Sequence, residues 1–378
     1  VTHIADRKAR QALRAARRRH PDATVVATGC YAERVPQGLR RMPEVDLVAG
    51  NVDKPGLVGR VLRWRDDGPF ASATGAETGG PVDGAVRTRA MVKIQEGCDQ
   101  VCAYCVVPRV RGRETSVPPQ EIVSRVNSLV ARGHNEVVLT GTQLGSYGFD
   151  LPGTGLKKLL KRLLREGEMS RLRVSSLQPQ EVESELLALW SDRRLCPHFH
   201  LPLQSGSDTI LKRMRRRYTA RLYADTVEMI RHSVPDVSVT TDVILGFPGE
   251  TVEEFEQTYT LCDEIGFAAT HVFPYSIRPG TSAAHFDGQV VSDVKTWRIQ
   301  AMLNLAESKS TQFRLRFLGK ARPVLWEGPT ATRGTTVWSG LTDNYIRVLC
   351  QSPRRLANRV TLARLSAEKE DLVYAQVI

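Results

Sequence analysis

Long apolar runs are missing from this 378-residue chain. Nowhere do about 18 uncharged apolar residues follow one another, and no signal-peptide pattern is visible, so the expectation is a cytoplasmic protein with no membrane partner. Cysteine is scarce, with 7 in all, and those that cluster point in a reducing compartment to metal or catalysis rather than to disulfides. Acidic residues are outnumbered, 41 against 53 basic, for a net charge of +12. That balance favours a polyanionic partner, although arginine-rich genomes also yield basic proteins without one. What is present is ample apolar content, 41%, enough for two or three cores at roughly 150 residues per domain.

The stretch that organises the chain is Gly97-Cys98-Asp99-Gln100-Val101-Cys102-Ala103-Tyr104-Cys105, three cysteines in a C-x3-C-x2-C spacing. Three thiolates on one tight loop can hold three irons of a cubane iron-sulfur cluster, leaving the fourth iron open to a small molecule. A zinc site would want a fourth Cys or His close by, and Arg109-Val110-Arg111-Gly112-Arg113 supplies none. Zinc is therefore the alternative, and three buried structural cysteines the bland reading.

The chain begins at Val1 rather than Met, directly in an arginine-rich helical pattern from Ala5 to Arg19, and reads as truncated. An apolar run, Ala23 to Thr28, ends in Gly29-Cys30-Tyr31-Ala32, and a second strand is expected around Asp46 to Ala49. This is the pattern of a small α/β domain over 1–65, with Cys30 at a strand's C-terminal end, where open α/β sheets place ligands. Residues 66–87 are rich in Gly, Pro and Ala and read as a linker. From 88 to 317, six candidate strands (Ala90 to Ile94, Glu136 to Thr140, Arg171 to Leu177, His198 to Leu203, Val237 to Leu245, Ala268 to Phe273) alternate with helical stretches. Those stretches include Pro119 to Arg132, Gly155 to Leu164, Glu181 to Trp190, Arg221 to His232 and Val252 to Ile265. That alternation implies a parallel sheet with right-handed crossovers. Turn sequences bearing Gly141, Thr142, Ser176 and Gln204, and the stretch Asp242 to Glu250, fall toward the C-terminal ends of strands, where such folds build sites. Each alone is ordinary turn chemistry.

The cysteine spacing, the aromatic Tyr104 and the flanking sequence resemble the radical S-adenosylmethionine (SAM) enzymes. Gly97 to Arg113 taken with Leu139 to Tyr147, Leu201 to Ser207 and Thr241 to Glu250 resembles, more narrowly, the radical-SAM methylthiotransferases. The resemblance implies a partial (β/α)6 barrel, a [4Fe-4S] cluster on Cys98, Cys102 and Cys105, and SAM on its open iron. It implies that Cys30 is one of three ligands of an auxiliary cluster, the other two lying upstream of Val1. Tyr104, Gly141, Thr142, Ser176, Gln204 and Asp242 become candidates for the SAM pocket. No side-chain acid or base is assigned. The implied reaction adds a methylthio group to C2 of N6-threonylcarbamoyladenosine at position 37, beside the anticodon. The implied partners are a tRNA anticodon stem-loop, an electron donor such as a flavodoxin or ferredoxin, and a sulfur donor. The isopentenyladenosine type of the family is the alternative substrate, and a non-catalytic RNA-binding protein with a structural metal is the alternative class.

From 318 to 378, short alternating segments at Val324 to Glu327, Thr335 to Ser339, Tyr345 to Leu349, Asn358 to Leu365 and Leu372 to Val377 suggest a small antiparallel barrel. It resembles the TRAM domain of RNA-modifying enzymes. Arg333, Arg347, Arg354, Arg355 and Arg359, with Trp338 and Tyr345, are candidates for phosphate contact and base stacking; a solvated surface is the plainer reading. The run Arg213, Arg215, Arg216, Arg217 is a second candidate phosphate contact. His198 and His200 alternate on a strand and share a face, with packing favoured over metal binding, and Cys196, Cys262 and Cys350 read as core.

Overall fold

The computed structural model describes residues 3–67, 88–330, 336–369 and 371–378. The expected linker over 66–87 lies outside them from residue 68 on, as does Arg333. Among the described residues no helix is long and apolar enough to cross a membrane. The chain divides into two compact units, Val1–Val86 with Gly97–Arg113 and Ser276–His285, and Arg87–Glu96 with Glu114–Tyr275 and Phe286–Ile378.

The first unit opens with α1 (His3–Arg19), β1 (Val26–Thr28), α2 (Cys30–Arg34), α3 (Pro36–Arg40), β2 (Leu47–Ala49) and α4 (Leu57–Asp67). β1 and β2 pair in parallel, Val26 opposite Leu47. Leu13 of α1 packs on Ala27, Ala32, Leu39 and Val48, a core of few residues. Asp46 ties the helix to the sheet by accepting from Arg17 and from the Val25 amide. This unit also holds the cysteine segment and its helix α5 (Val107–Arg111), on which α2 packs.

The second unit begins with β3 (Arg89–Lys93) and β4 (Gln95–Glu96), then β5 (Thr115–Ser116), α6 (Pro119–Ala131), β6 (Glu136–Thr140), α7 (Leu156–Glu166) and β7 (Arg171–Val174). It continues through α8 (Ser184–Leu187), β8 (His198–His200), α9 (Asp208–Arg213), α10 (Ala220–Ser233), β9 (Ser238–Leu245), α11 (Val252–Ile265), β10 (Ala269–Pro274) and α12 (Ser292–Leu315). Parallel pairing runs β3-β6-β7 and β8-β9-β10, and the bridges Leu172 to Leu195 and Ser176 to His200 join the two runs. The six strands stand where the alternation puts them, in the order of a partial (β/α)6 barrel. Helix α7 shows why: Leu156, Leu159, Leu160 and Leu163 recur at i, i+3, i+4 and i+7 and are buried, while its lysines face out. Helix α11 is fixed at both ends, by a capping box between Thr251 and Glu254 and by left-handed Gly266.

A closed five-stranded barrel follows, antiparallel as expected except for one parallel pair, β13 with β15: β11 (Ala321–Thr330), β12 (Val337–Thr342), β13 (Arg347–Gln351), β14 (Val360–Lys369) and β15 (Leu372–Val377), in the order β11-β12-β13-β15-β14, with β14 returning to β11. Closure leaves no free sheet edge. Helix α12 serves both cores, giving Met302 and Leu305 to the larger and Phe313 to the C-terminal barrel.

The C-terminal barrel docks on the strands through a buried ionic cluster. Arg171 donates to the carbonyls of Leu341 and Thr342 and pairs with Glu136 at 2.9 Å. Arg173 pairs with Glu136 at 3.0 Å, and its guanidinium lies 4.8 Å from the centre of the Tyr345 ring. His198 stacks on the same ring at 4.2 Å. This corrects one sequence expectation: Trp338 is buried with its indole N–H given to Ser352, so it is no base-stacking platform, whereas Tyr345 stacks on His198 and stays 41% exposed. Arg347 is spent partly on Glu327.

Burial works to raise the pKa of the Glu136 carboxyl, and the charges of Arg173 and Arg171 overcome it and hold the group below the usual carboxylate range. Its contribution to stability is therefore complete above the unfolded carboxylate value of about 4.3 and fades as pH falls through the depressed folded value. Replacing Glu136 by Gln leaves two buried guanidiniums uncompensated. The expected cost is about 3–5 kcal/mol, seen as a fall in thermal midpoint at pH 7 that shrinks as the pH is lowered toward 3.

Candidate functional site

The cysteine segment is set by its glycines. Gly97 has φ +78, and a Cβ there would stand 1.9 Å from the Arg113 carbonyl oxygen, so only glycine lets the two ends of the segment meet. The Cys98 amide donates to the Gly112 carbonyl at 3.2 Å and the Cys105 amide to the Cys102 carbonyl at 3.1 Å. Arg278 donates to the Tyr104 carbonyl at 3.3 Å, and the Ala283 amide donates to the Ala103 carbonyl at 2.8 Å. The backbone between the last two cysteines is thus held from the 276–285 stretch, a support that no motif reveals. Asn51 donates to the Val110 carbonyl at 2.5 Å. Cys30 opens α2 just after left-handed Gly29, and α2 packs on the helix that follows Cys105.

All seven cysteines are thiols; Cys30, Cys98, Cys102 and Cys105 are half-buried, while Cys196, Cys262 and Cys350 are buried as expected of core residues. Burial pushes the Cys105 thiol up, against the Val107 amide and Arg278, which pull it down. A metal taking this sulfur must displace a proton, so uptake strengthens with pH. Three soft donors on one segment suit an iron-sulfur cluster.

In the second unit the other sequence candidates lie at or near the C-terminal ends of strands. After β6, the amides of Thr142 and Gln143 both donate to the Gln95 side-chain oxygen at 2.9 Å, and Gly141 is closed in by the same glutamine. Ser176 bridges to His200 beyond β7. Gln204 holds φ +66, a costly conformation for a non-glycine residue, because its amide donates to the Asp242 carbonyl and its carbonyl accepts from Ile244. Its side-chain oxygen is buried with no partner. A strained residue carrying an unsatisfied buried acceptor is the strongest local sign of a ligand contact in this sheet. Asp242 differs from these residues in standing beside a histidine, 3.4 Å from His200.

Sequence reading missed the polar scaffold. Gln143 donates to Glu181, Gln178 donates to Gln143 at 2.6 Å, and the Gln178 amide donates to Glu181 at 2.8 Å. Burial raises the Glu181 pKa against those hydrogen bonds. At the β9 turn, left-handed Gly246 donates to Glu250, which also pairs with buried Arg298 at 2.7 Å; burial outweighs that pairing and pushes the Glu250 carboxyl up. The Gly246-to-Glu250 spacing was visible in the sequence, but Arg298 comes from α12 and gave no local signal. Arg213 lies over the Phe286 ring and donates to the Asp287 carbonyl, and Arg216 lies over Tyr218, so part of the basic run is committed to the fold.

Residues 92–262 match the radical SAM superfamily. The chain is 35% identical to the threonylcarbamoyladenosine tRNA methylthiotransferase of Bacillus subtilis over 97% of this chain and 83% of that protein. The chain belongs to the radical-SAM methylthiotransferases. Another member of this family, the threonylcarbamoyladenosine tRNA methylthiotransferase of Aquifex aeolicus, is 39% identical over 85% of this chain and 80% of its own. The tRNA-2-methylthio-N(6)-dimethylallyladenosine synthase of Clostridium novyi is 33% identical over 93% and 81%. The methylthiotransferase is thus a radical-SAM transferase using SAM and [4Fe-4S] chemistry, on a mixed α/β fold ending in a closed five-stranded barrel.

The packing at Gly97 gives a test. Gly97→Ala is expected to lower the iron held per chain after anaerobic reconstitution by more than half, because the Arg113 backbone must move. Gly112→Ala, where a Cβ meets nothing within 4 Å, is expected to bear only the backbone strain of its φ +74, ψ −163 conformation, about 1–3 kcal/mol, and to lose less iron than Gly97→Ala.

Proposed function

We propose that this methylthiotransferase adds a methylthio group to C2 of N6-threonylcarbamoyladenosine at position 37 of tRNA. The observation that carries the reading is the match to threonylcarbamoyladenosine enzymes across nearly the whole chain, 97% of it for the Bacillus subtilis relative. The net charge of +12 suits an RNA substrate. The dimethylallyladenosine enzymes, similar at 33% identity and above, keep the isopentenyl substrate as the second reading.

In this proposal Cys98, Cys102 and Cys105 hold the SAM cluster and Cys30 contributes to an auxiliary cluster. Tyr104, Gly141, Thr142, Ser176, Gln204 and Asp242 are its candidates for contact with SAM. When bound, the cluster and SAM supply radical chemistry that a protein side chain lacks. The chain's own residues hold and shield. Arg278 fixes the Tyr104 carbonyl between the last two cysteines. Gln95 pins the Thr142 and Gln143 amides, and the buried acceptor of Gln204 is available to an N–H or O–H of a ligand. The buried Gln143, Gln178 and Glu181 scaffold keeps the strand ends rigid around such a ligand. An electron donor of the flavodoxin or ferredoxin kind, a sulfur donor and a cytoplasmic location complete the proposal, and residues 1–65, 88–317 and 318–378 are its N-terminal, radical-SAM and TRAM-like domains.

A nucleoside profile of bulk tRNA by mass spectrometry, from cells with and without the full-length gene, tests the substrate. The methylthio form of threonylcarbamoyladenosine is expected to vanish in the deletion and to return with the wild-type gene but not with Cys102→Ala. Loss of the methylthio isopentenyl form instead would move the assignment to the second reading. An unchanged profile would sink both.

A further inference from the structure

On the sheet β8-β9-β10, three polar side chains converge, of which the cofactor proposal uses only Asp242. His271 stands directly opposite Asp242 in the parallel register, and His200 stands opposite Thr240, two residues before Asp242 and on the same face. The ligand atoms of His200, Asp242 and His271 all lie within 4.8 Å of one another. The three remain accessible, His200 19% and Asp242 28% by side chain and His271 exposed, the first two on strands that are otherwise mostly buried.

The hydrogen bonds behind them fix which atoms are available. His200 Nε2 faces the Asp242 carboxylate at 3.4 Å and its Nδ1 lies 2.9 Å from the Thr240 hydroxyl, which is 3.2 Å from His198 Nε2. One hydroxyl has one proton, so it donates to one imidazole and accepts from the other. With His200 Nε2–H turned to the carboxylate, Thr240 donates to His200 Nδ1 and accepts from His198 Nε2–H. His198 Nδ1 is then a bare acceptor, and it is the ring nitrogen found buried without a partner, the less costly group to leave unpaired. His200 is consumed in orienting Asp242. What remains is an acceptor, the other lone pairs of Asp242, next to the exposed His271 imidazole, which carries an N–H donor in either tautomer.

We propose that Asp242 and His271 form a receptor for the polar arm of the substrate nucleoside, with Asp242 accepting from its hydroxyl or urea N–H and His271 donating to its carboxylate. The inference rests on the threonylcarbamoyl reading above and deepens it. His200 is the positioning residue. An isopentenyl arm has no such groups and would desolvate both side chains without replacing their water, which is how a polar site rejects an analogue that lacks its partner. The receptor thus selects one arm and excludes the other.

The test uses the full-length, anaerobically reconstituted protein, SAM, a reductant, and anticodon stem-loops carrying either modified adenosine. His271→Leu is expected to raise KM for the threonylcarbamoyl stem-loop about tenfold or more, the effect of losing one hydrogen bond to a charged group. Formation of 5′-deoxyadenosine from SAM without RNA should not change, and His271→Asn, which keeps a donor, should recover part of the loss. An unchanged KM would overturn the proposal. So would a parallel fall in deoxyadenosine formation, which would give these residues to SAM, or stoichiometric cobalt(II) binding lost in His271→Leu, which would make them a metal centre. Failure of the underlying reading is seen separately: wild-type protein would then prefer the isopentenyl stem-loop before any variant is compared.

Discussion

The constraint on which the second unit depends is the cost of burying charge. Glu136 is wholly buried at the start of β6, and Arg171 and Arg173 enter the same space from the start of β7. None of the three is tolerable alone in that medium. Together they offset one another's charge, and Arg171 donates also to backbone carbonyls at the end of β12. The C-terminal barrel is therefore more than an appended module: it supplies acceptors without which two arginines would be left short. Tyr345, held at φ +72, closes the gap between Arg173 and His198. A position of this kind specifies how two cores meet more strongly than apolar packing does, because an offset leaves a charge unpaired.

At the other ends of the strands stand the site candidates. There the structure leaves polar groups unspent: the Gln204 side-chain oxygen, the other lone pairs of Asp242 and the exposed ring of His271. Around them every neighbour is committed, Gln95 to two amides, Gln178 to Gln143, Glu250 to Gly246 and Arg298. These strand ends are where α/β barrels place their chemistry, since βα loops vary freely over a rigid strand scaffold.

Much of this was legible from the residues. The C-x3-C-x2-C spacing located the cluster segment, and the alternation of apolar runs with helical periods located all six barrel strands. Periodicity failed at α12, a 24-residue helix, because its buried residues Arg298, Met302, Leu305 and Phe313 serve two cores and an ion pair rather than one apolar face. Composition misled at Trp338, whose company of arginines suggested an RNA surface. Its ring is spent on the C-terminal core, while Tyr345 stacks on His198 and stays exposed.

Sequence alone determined what depends on neighbours along the chain: the donor set of the cysteine segment, the glycines that let it turn, the strand and helix order, and the family. Tertiary structure decided what depends on pairing across the chain. Arg278 reaches Tyr104 over 174 residues, Arg171 reaches Thr342 over 171, and His271 meets Asp242 only through strand register. Spacing rules act over a few residues because helices and strands repeat over a few. Whether a charged or polar side chain ends up satisfied, or left open to a ligand, is set by partners that only the folded sheet brings near.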